Sequence, residues 1–213
     1  MGTQASVRIL VIPRKTLFKD EAIEGFVPIE QKNLLPLLLK SSEYQVRDET
    51  LEKNPAFKQI IPYIIVVNTR NHTVFGYKRF KKYAGLHETR LHNKFSLGLG
   101  GHIDEVKTSE NLIVESMMRE FTEEVKMNTY PTPKIIGFIN SELSEVDRMH
   151  FAIVAIAETT ENIDKRENEE VAEEKFYTIH EVDQIMQNEN IQMDTWTRIV
   201  WPFVKSYLTD LKK

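Results

Sequence analysis

Residues 112–125 place acidic and apolar side chains at spacings that a helix would turn into two separate faces. Because a helix turns by about 100° per residue, Glu120, Glu123 and Glu124 would fall within one arc of about 100°. Apolar side chains recur at the i, i+4, i+7 and i+11 positions of a buried stripe, namely Val114, Met118, Phe121 and Val125. The sequence therefore predicts a helix that anchors its apolar stripe in a core and presents clustered carboxylates well away from that stripe.

Clustered carboxylates on a helix repel one another by about 0.2–0.5 kcal/mol per neighbouring pair, and a hard divalent cation such as Mg²⁺ would convert this repulsion into coordination. A solvated acidic face is the alternative reading of such a short pattern. The surrounding sequence favours the metal. Gly100 and Gly101 follow a strand-like segment, where glycines let the backbone approach a ligand and point a carbonyl at it. Arg119 lies four residues from both Glu115 and Glu123 and can orient acids along the helix.

The segment from Gly101 to Met127 resembles the Nudix box: glycine, five residues, Glu, seven residues, Arg-Glu, an apolar residue, any residue, Glu-Glu, any residue, glycine and an apolar residue. The residues that match their positions in this pattern are Gly101, Arg119, Glu120, Phe121, Glu123, Glu124 and Met127. The chain departs from the pattern at three places. Asn111 stands where the first Glu is usual, next to Glu110, four extra residues precede it, and Lys126 replaces the closing glycine. The similarity extends over roughly residues 60 to 200 and is to a bacterial Nudix branch of uncertain substrate.

This resemblance implies an α/β fold, the Nudix α/β/α sandwich with a mixed central sheet. It implies Mg²⁺, or Mn²⁺ in its place, held by Glu120, Glu123, Glu124 and the carbonyl of Gly101. Arg119 would orient these ligands without touching the substrate. The expected reaction is hydrolysis of a pyrophosphate bond in a nucleoside diphosphate linked to another moiety, or in a related organic pyrophosphate. Since Nudix hydrolases are often dimers, a homodimer is one option.

The composition fits one globular, enzyme-sized unit, with 41% hydrophobic and 28% charged residues. The formal charge of −4 offers no overall attraction to nucleic acid. No apolar run is long enough to span a bilayer, and the first residues lack the features of a secretory signal. The absence of cysteine excludes disulfides, a cysteine zinc site and a thiol nucleophile. We therefore expect a cytoplasmic protein that acts on a small molecule, with no membrane or nucleic-acid partner.

We expect residues 1–58 to form an N-terminal extension packed on the same domain, and residues 59–213 to form the Nudix domain. A polar connector with a helical turn is expected over residues 45–57. β-Branched and aromatic runs predict strands, and longer periodic runs predict helices. The predicted strands are Val7–Ile12, Tyr63–Asn68, Thr73–Arg79, Phe95–Gly100, Lys134–Asn140 and His150–Ala157. The predicted helices, besides that of the Nudix box, are Pro28–Leu39, interrupted by Pro36, then Ile179–Gln187 and Thr195–Leu211.

A basic segment at residues 77–94 is dotted with aromatic side chains, including Tyr77, and could hold phosphates and stack a base. Within it, Arg90 and Lys94 are the predicted substrate contacts, although a solvated hairpin is the alternative. His102 and His150 are expected to be structural, with backbone partners, and not metal ligands.

In an acidic run at residues 167–174, most side chains are expected to face water. The resemblance makes Glu173 and Glu174 candidates for a further metal ligand or for the general base.

Two other functions remain open for a chain of this kind. An isopentenyl-diphosphate isomerase shares the fold, but its chemistry ordinarily uses a cysteine, which this chain lacks. A non-catalytic Nudix-like domain that senses a nucleotide is the second alternative. Such domains commonly lose box acids, whereas the Arg119–Glu124 core is intact here, and Asn111 is the one feature that favours a sensor. The substrate itself is not specified by any motif.

Overall fold

The computed structural model of the chain describes residues 7–19, 21–79, 94–105, 111–163 and 171–212. In these ranges one sheet contains the strands β1 Arg8–Pro13, β2 Gly25–Pro28, β3 Glu43–Val46, β4 Phe57–Asn68, β5 Thr73–Arg79, β6 Phe95–Ser96, β7 Gly98–Leu99, β8 Lys134–Asn140, β9 His150–Thr159 and β10 Val171–Tyr177. The helices are α1 Arg14–Leu17, α2 Leu35–Ser41, α3 Leu112–Glu124, α4 Glu145–Met149, α5 Ile179–Gln187 and α6 Thr195–Asp210, with a 3₁₀ turn at Leu51–Lys53.

The centre of the sheet is a long parallel pair, β4 and β9, in register from Gln59 opposite His150 to Asn68 opposite Thr159. The other named strand pairs are antiparallel, in the order β10-β5-β4-β9-β8-β2. Both central strands are almost continuously apolar, which is the pattern of strands covered on both faces. The sheet is therefore mixed and central, as predicted.

Helices cover the two faces of this sheet and enclose separate cores. Ile60 and Ile64 of β4 point into the core that contains α3, because alternate residues of a strand face opposite sides. Tyr63 and Ile65 point into the other core, where α5 and α6 pack with side chains such as Val204. This arrangement is the expected α/β/α sandwich. None of the described helices is long and apolar enough to cross a membrane.

The N-terminal segment adds strands to the same sheet. β1 pairs with β3 on one side and with the start of β4 on the other, and β2 pairs with β8. Leu38 of α2 is 1% exposed within the core that also holds α3. The boundary proposed at residue 59 lies inside β4, and the division of the chain there stays a prediction.

Most predicted elements are present, including β5, β8 and α5 at their predicted bounds and α6 through Pro202. The helix predicted over residues 28–39 was wrong in its first half, because Pro28 ends β2 and α2 begins only at Leu35. Pro36 occupies the first turn of α2, where a missing N–H leaves no broken bond, so it starts the helix and does not interrupt it. The predicted connector likewise begins within β3.

Candidate functional site

Helix α3 buries the second half of the predicted stripe, Phe121 and Val125, but its first half is buried one residue earlier than predicted. Ile113, Met117 and Phe121 are at most 4% exposed, whereas Val114 and Met118 are only half-buried. The sequence carries apolar residues at both neighbouring positions, so its periodicity did not decide between the two faces. The observed rotation turns the acids towards the core.

Glu120 shows the effect of this rotation most clearly, since the residue is 8% exposed. The prediction that the carboxylates point well away from the buried face was therefore wrong for Glu120. Burial raises the pKa of its carboxyl group, and the neighbouring guanidinium of Arg119 opposes that rise.

Gly100 and Gly101 make room for the acids of α3. Gly100 has a φ of +152°, and a Cβ atom there would overlap the carbonyl oxygen of Pro62. A Cβ atom on Gly101 would lie 2.7 Å from Oε2 of Glu120. The backbone N–H of Gly100 donates to Oε2 of Glu124 at 3.3 Å. Two consecutive glycines thus bring the backbone into close contact with both carboxylates.

We expect Gly100→Ala to lower the free energy of unfolding by about 2–4 kcal/mol, from a strained φ and a steric clash with Pro62. Urea denaturation would measure it. Gly25→Ala is the matched control, because Gly25 also has a positive φ of +83° but nothing lies within 4 Å of the added Cβ. That control should lose only about 1–2 kcal/mol. Equal losses in the two variants would show that the Pro62 contact is unimportant.

Arg119 connects the acids of α3 to the loop that follows the glycines. Its guanidinium lies 2.6 Å from Oε1 of Glu120 and 3.1 Å from Oε2 of Glu123. It also donates to the carbonyl oxygen of His102 at 2.8 Å, and it lies 3.6 Å from Asp104. The planar fork of arginine holds several acceptors at once. Arg119 therefore fixes the helix against the loop, and its role in orienting metal ligands stays a prediction.

A cavity of about 360 Å³ opens beside the glycines and the acids. The described residues that line it with polar side chains include Arg47, Tyr63, Lys94, Ser96, His102, Asp104, Glu120, Glu124, Ser144, Asp147, His150, Asp194, Thr195 and Trp196, together with Gly98, Gly100, Gly101, Ile61 and Val146. Lys94 makes no ion pair with the part of the chain that the structure describes. The lining of the cavity therefore contains both acidic and basic side chains, which suits the binding of an anion together with a metal ion.

The cavity lies against β4, which contributes Ile61 and Tyr63 to its lining. Among the other lining residues, Nε2 of His102 lies 2.6 Å from Oε1 of Gln59. The hydroxyl of Tyr63 lies 3.4 Å from Oδ1 of Asp194, and its ring meets that of Trp196 edge-on at 5.5 Å. The lining therefore includes a histidine and an aromatic pair.

The two histidines have defined partners. His150 donates from Nδ1 to the carbonyl oxygen of Val146 at 2.7 Å, which confirms the backbone partner expected for it. His102 pairs with the side chain of Gln59 instead. Desolvation lowers the pKa of His102 well below its ordinary value, and the positive charges of Arg47 and Arg119 and the neighbouring His150 lower it further. His102 is therefore a neutral hydrogen-bonding group at neutral pH.

No protein-family model matches the chain. Protein YmaB of Bacillus subtilis (strain 168) is 30% identical over 203 residues, which cover 90% of this chain and 94% of YmaB. The crystal structure of Tm1382, a protein assigned to the Nudix hydrolases, superimposes with a TM-score of 0.75 at 25% identity. That match covers 94% of this chain and 99% of Tm1382. The chain belongs to the Nudix hydrolase family. The family and the fold predicted from the sequence are thereby confirmed.

The Nudix box residues do not all reach the cavity. Gly101, Glu120 and Glu124 line it, as does Lys94 from the basic segment. Glu123 does not line it, and its carboxylate, with a side chain 57% exposed, pairs with Arg119 on the outer side of the helix. The structure thus separates the three acids, which the sequence placed on one arc, into two that face the cavity and one that faces solvent.

Other predicted contacts lie elsewhere. Arg90 and Glu110 are outside the described residues, as is the side chain of Glu173. Glu174, on β10, does not line the cavity. Tyr77 cannot stack a base, because it is 2% exposed and its hydroxyl donates to the carbonyl of Gly98. The sequence prediction treats this ring as a surface feature, whereas the ring lies in the core that contains α3.

Sequence reasoning missed the cavity residues that come from distant segments, namely Arg47, Asp147 and Trp196. Arg47 follows β3, Asp147 lies in α4 and Trp196 is in the first turn of α6. Arg47 and Trp196 belong to no motif. Two helix-capping signals were available: Ser144 and Asp147 have the spacing of a capping box and form one at the start of α4. Asp194 precedes an apolar helical run, and its side chain accepts from the N–H of Thr197.

The donors in the cavity can be tested against the metal that Nudix hydrolases generally use. Within the described ranges, no three His, Cys, Asp or Glu side chains form a group that could hold a metal ion. The available set is the carboxylates of Glu120 and Glu124 and the backbone of Gly101. Mg²⁺ in proteins is usually held by one or two carboxylates, completed by water and substrate phosphates. The site therefore fits Mg²⁺ or Mn²⁺ bound together with a phosphorylated substrate.

Proposed function

We propose that the protein hydrolyses a pyrophosphate bond in a nucleoside diphosphate linked to another moiety, or in a related organic pyrophosphate, with Mg²⁺ as cofactor. The observation that carries this proposal is the meeting of Glu120 and Glu124 over the glycine pair, in one cavity with Lys94. Membership of the Nudix hydrolase family makes a hydrolase the natural reading. The bond that is split and the metal dependence are the proposed parts.

The groups that would hold the metal are Glu120, Glu124 and the carbonyl of Gly101, with Glu123 acting through Arg119. When bound, Mg²⁺, or Mn²⁺ in its place, supplies neutralisation of phosphate oxygens and a water of lowered pKa. Arg119 keeps the carboxylate of Glu120 in place, because its guanidinium lies 2.6 Å from that oxygen and also holds the carbonyl of His102. Groups that contact a metal ligand, and not the metal itself, fix the orientation of that ligand.

Side chains that line the cavity carry out the remaining steps of the proposed reaction. The ammonium group of Lys94 binds a phosphate oxygen, since it lines the same cavity as Glu120 and Glu124 and makes no ion pair with the described residues. A carboxylate of the cavity accepts a proton from the attacking water, whose oxygen bonds to phosphorus as the bridging P–O bond breaks. The leaving phosphate departs with the bridging oxygen. Trp196 lines the cavity, is only half-buried and packs edge-on against the buried ring of Tyr63, so it offers a surface on which a planar group of the substrate can pack.

The test is a hydrolysis screen with Mg²⁺ across nucleoside triphosphates, nucleotide sugars, ADP-ribose, dinucleoside polyphosphates and NADH, with products identified by mass. We expect at least one compound to be split at a diphosphate bridge into products that together contain one added water. Reaction in ¹⁸O-labelled water would show which phosphorus is attacked. A panel that yields no product from any diphosphate would contradict the proposal.

A nucleotide-sensing domain without catalysis is the second candidate function. Asn111 favours it, because this residue stands where the box usually has a glutamate, and it begins α3 as the N-terminal flanking residue without a side-chain capping hydrogen bond. The same screen separates the two. A sensor would bind a panel compound in calorimetry and leave it intact, whereas an enzyme would release products.

A further inference from the structure

Arg47 is a cation that the N-terminal segment contributes to the cavity. It follows directly after β3 and lines the same space as Glu120 and Glu124. We propose that Arg47 binds a phosphoryl oxygen of the substrate, so that the N-terminal segment is part of the active site and selects polyanionic substrates. This inference rests on the proposed pyrophosphate hydrolysis, and it assigns a role that the box residues do not supply.

A continuous hydrogen-bonded ribbon joins Arg47 to the loop that carries the glycines. β3 pairs with β1, and the N–H of Arg47 donates to the carbonyl of Val7 at 2.9 Å. On its other edge β1 bonds to residues 103–105, through Leu10 N–H to the carbonyl of Ile103 and through the N–H of Glu105 to the carbonyl of Arg8, both at 2.8 Å. Residues 103–105 come immediately after Gly101 and His102. The backbone of Arg47 is therefore held at a fixed distance from the proposed metal ligands.

The side chain of Arg47 is also positioned in advance. Its Nε lies 3.0 Å from Oε1 of Glu52, whose side chain is only 11% exposed. The turn that carries Glu52 is held by Asp48, which accepts the N–H of Leu51 on its side chain and the N–H of Glu52 on its carbonyl. A guanidinium carries five N–H donors in a planar fork, so one arginine can contact Glu52 and a phosphoryl group together. Because the side chain is already oriented, less conformational entropy is lost when the ligand binds.

The balance of charged side chains in the cavity favours a phosphate-binding role for Arg47. Among the described residues, two basic ones, Arg47 and Lys94, line the cavity together with five acidic ones, Asp104, Glu120, Glu124, Asp147 and Asp194. Lys94 comes from the segment just before β6, and Arg47 comes from the segment just after β3. Both line the cavity that the acids line, so a polyanionic substrate bound there would meet a cation from each of two separate segments.

A purely structural role predicts different behaviour. If Arg47 only balanced the acids of the cavity, its loss would lower the stability of the free protein and leave the affinity for a folded-state ligand nearly unchanged. If Arg47 binds phosphate, its loss would lower the affinity for the ligand and leave the stability of the free protein unchanged. A charge-assisted hydrogen bond to phosphate corresponds to about tenfold to a hundredfold in affinity.

The experiment compares the full-length parent with Arg47→Gln and Arg47→Lys. Binding of methylenediphosphonate, a diphosphate analogue with an uncleavable bridge, is measured by calorimetry with Mg²⁺, and KM and kcat are measured on the substrate found in the screen. We expect Arg47→Gln to raise both Kd and KM by about tenfold to a hundredfold, with kcat changed less than KM. Arg47→Lys keeps the charge but loses the fork, so it should raise both by at least about threefold.

Arg8→Gln is the matched control, because Arg8 lies in the paired strand β1, forms an exposed ion pair with Glu105 and does not line the cavity. It should bind the analogue as the parent does. Arg47 variants that bind and turn over within about twofold of the parent would overturn the inference, and if Arg47→Gln does not fold, the threefold threshold for Arg47→Lys decides alone. A parent that binds the analogue but turns over no compound would overturn the proposed hydrolysis and leave the Arg47 result standing. A parent that does neither overturns both.

Discussion

Treatment with EDTA should abolish turnover, and Mg²⁺ or Mn²⁺ added in excess should restore it. The reason lies in the cavity, where the carboxylates of Glu120 and Glu124 converge on the glycine pair with only two basic residues among the described lining. Without a metal cation between them, these carboxylates would repel the negatively charged phosphates of a substrate. Product formation would be followed by mass before chelation, in EDTA and after addition of each metal.

Two controls make the EDTA result specific. Circular dichroism in EDTA should be unchanged, because the two cores are built from apolar side chains, and Mg²⁺ should raise the melting temperature by binding only the folded state. At a concentration 100 times its Kd, a ligand of this kind adds about 2.7 kcal/mol to the free energy of unfolding. Full turnover in the presence of chelator would reject the metal-dependent mechanism, whatever the thermal behaviour.

The sequence predicted the fold well where local pattern and tertiary packing agree. β5, β8 and α5 have their predicted bounds, because each is a periodic run between turn residues. The same reasoning misplaced the buried face of α3, since Ile113 and Val114 are both apolar and only the contact with the glycine loop selects one of them. The pattern of one helix cannot contain that information.

The candidate site was predictable to the extent that it is local in the chain. Glu120, Glu124 and Gly101 belong to one motif and do meet in one cavity. Arg47 and Trp196 reach the same cavity from segments that are 54 residues before and 95 residues after Gly101 in the chain, a separation given by their numbers. Their approach depends on the β1–β3 pairing and on the packing of α6, so no spacing in the sequence predicts it.

The substitution Glu124→Gln should lower turnover by about 10³-fold, equivalent to roughly 4 kcal/mol of transition-state stabilisation. It keeps the volume and the helix propensity of the side chain and removes one carboxylate from the proposed metal site. Its stability in EDTA should equal or slightly exceed that of the parent, because repulsion with the neighbouring acids is relieved. The stabilisation by Mg²⁺ should shrink. Steady-state kinetics and thermal unfolding with and without Mg²⁺ measure these effects.

Two other glutamates of α3 serve as comparisons for Glu124→Gln. Glu115→Gln changes an exposed acid in the first turn of the same helix and should leave turnover as in the parent. Glu123→Gln removes an exposed partner of Arg119, and since exposed ion pairs contribute about 0.2–1 kcal/mol, turnover should fall by no more than about fivefold. If all three variants behaved alike, the acids would be a solvated helix face. A Glu124→Gln enzyme within about threefold of the parent, a difference of ~0.7 kcal/mol, would exclude Glu124 as a metal ligand.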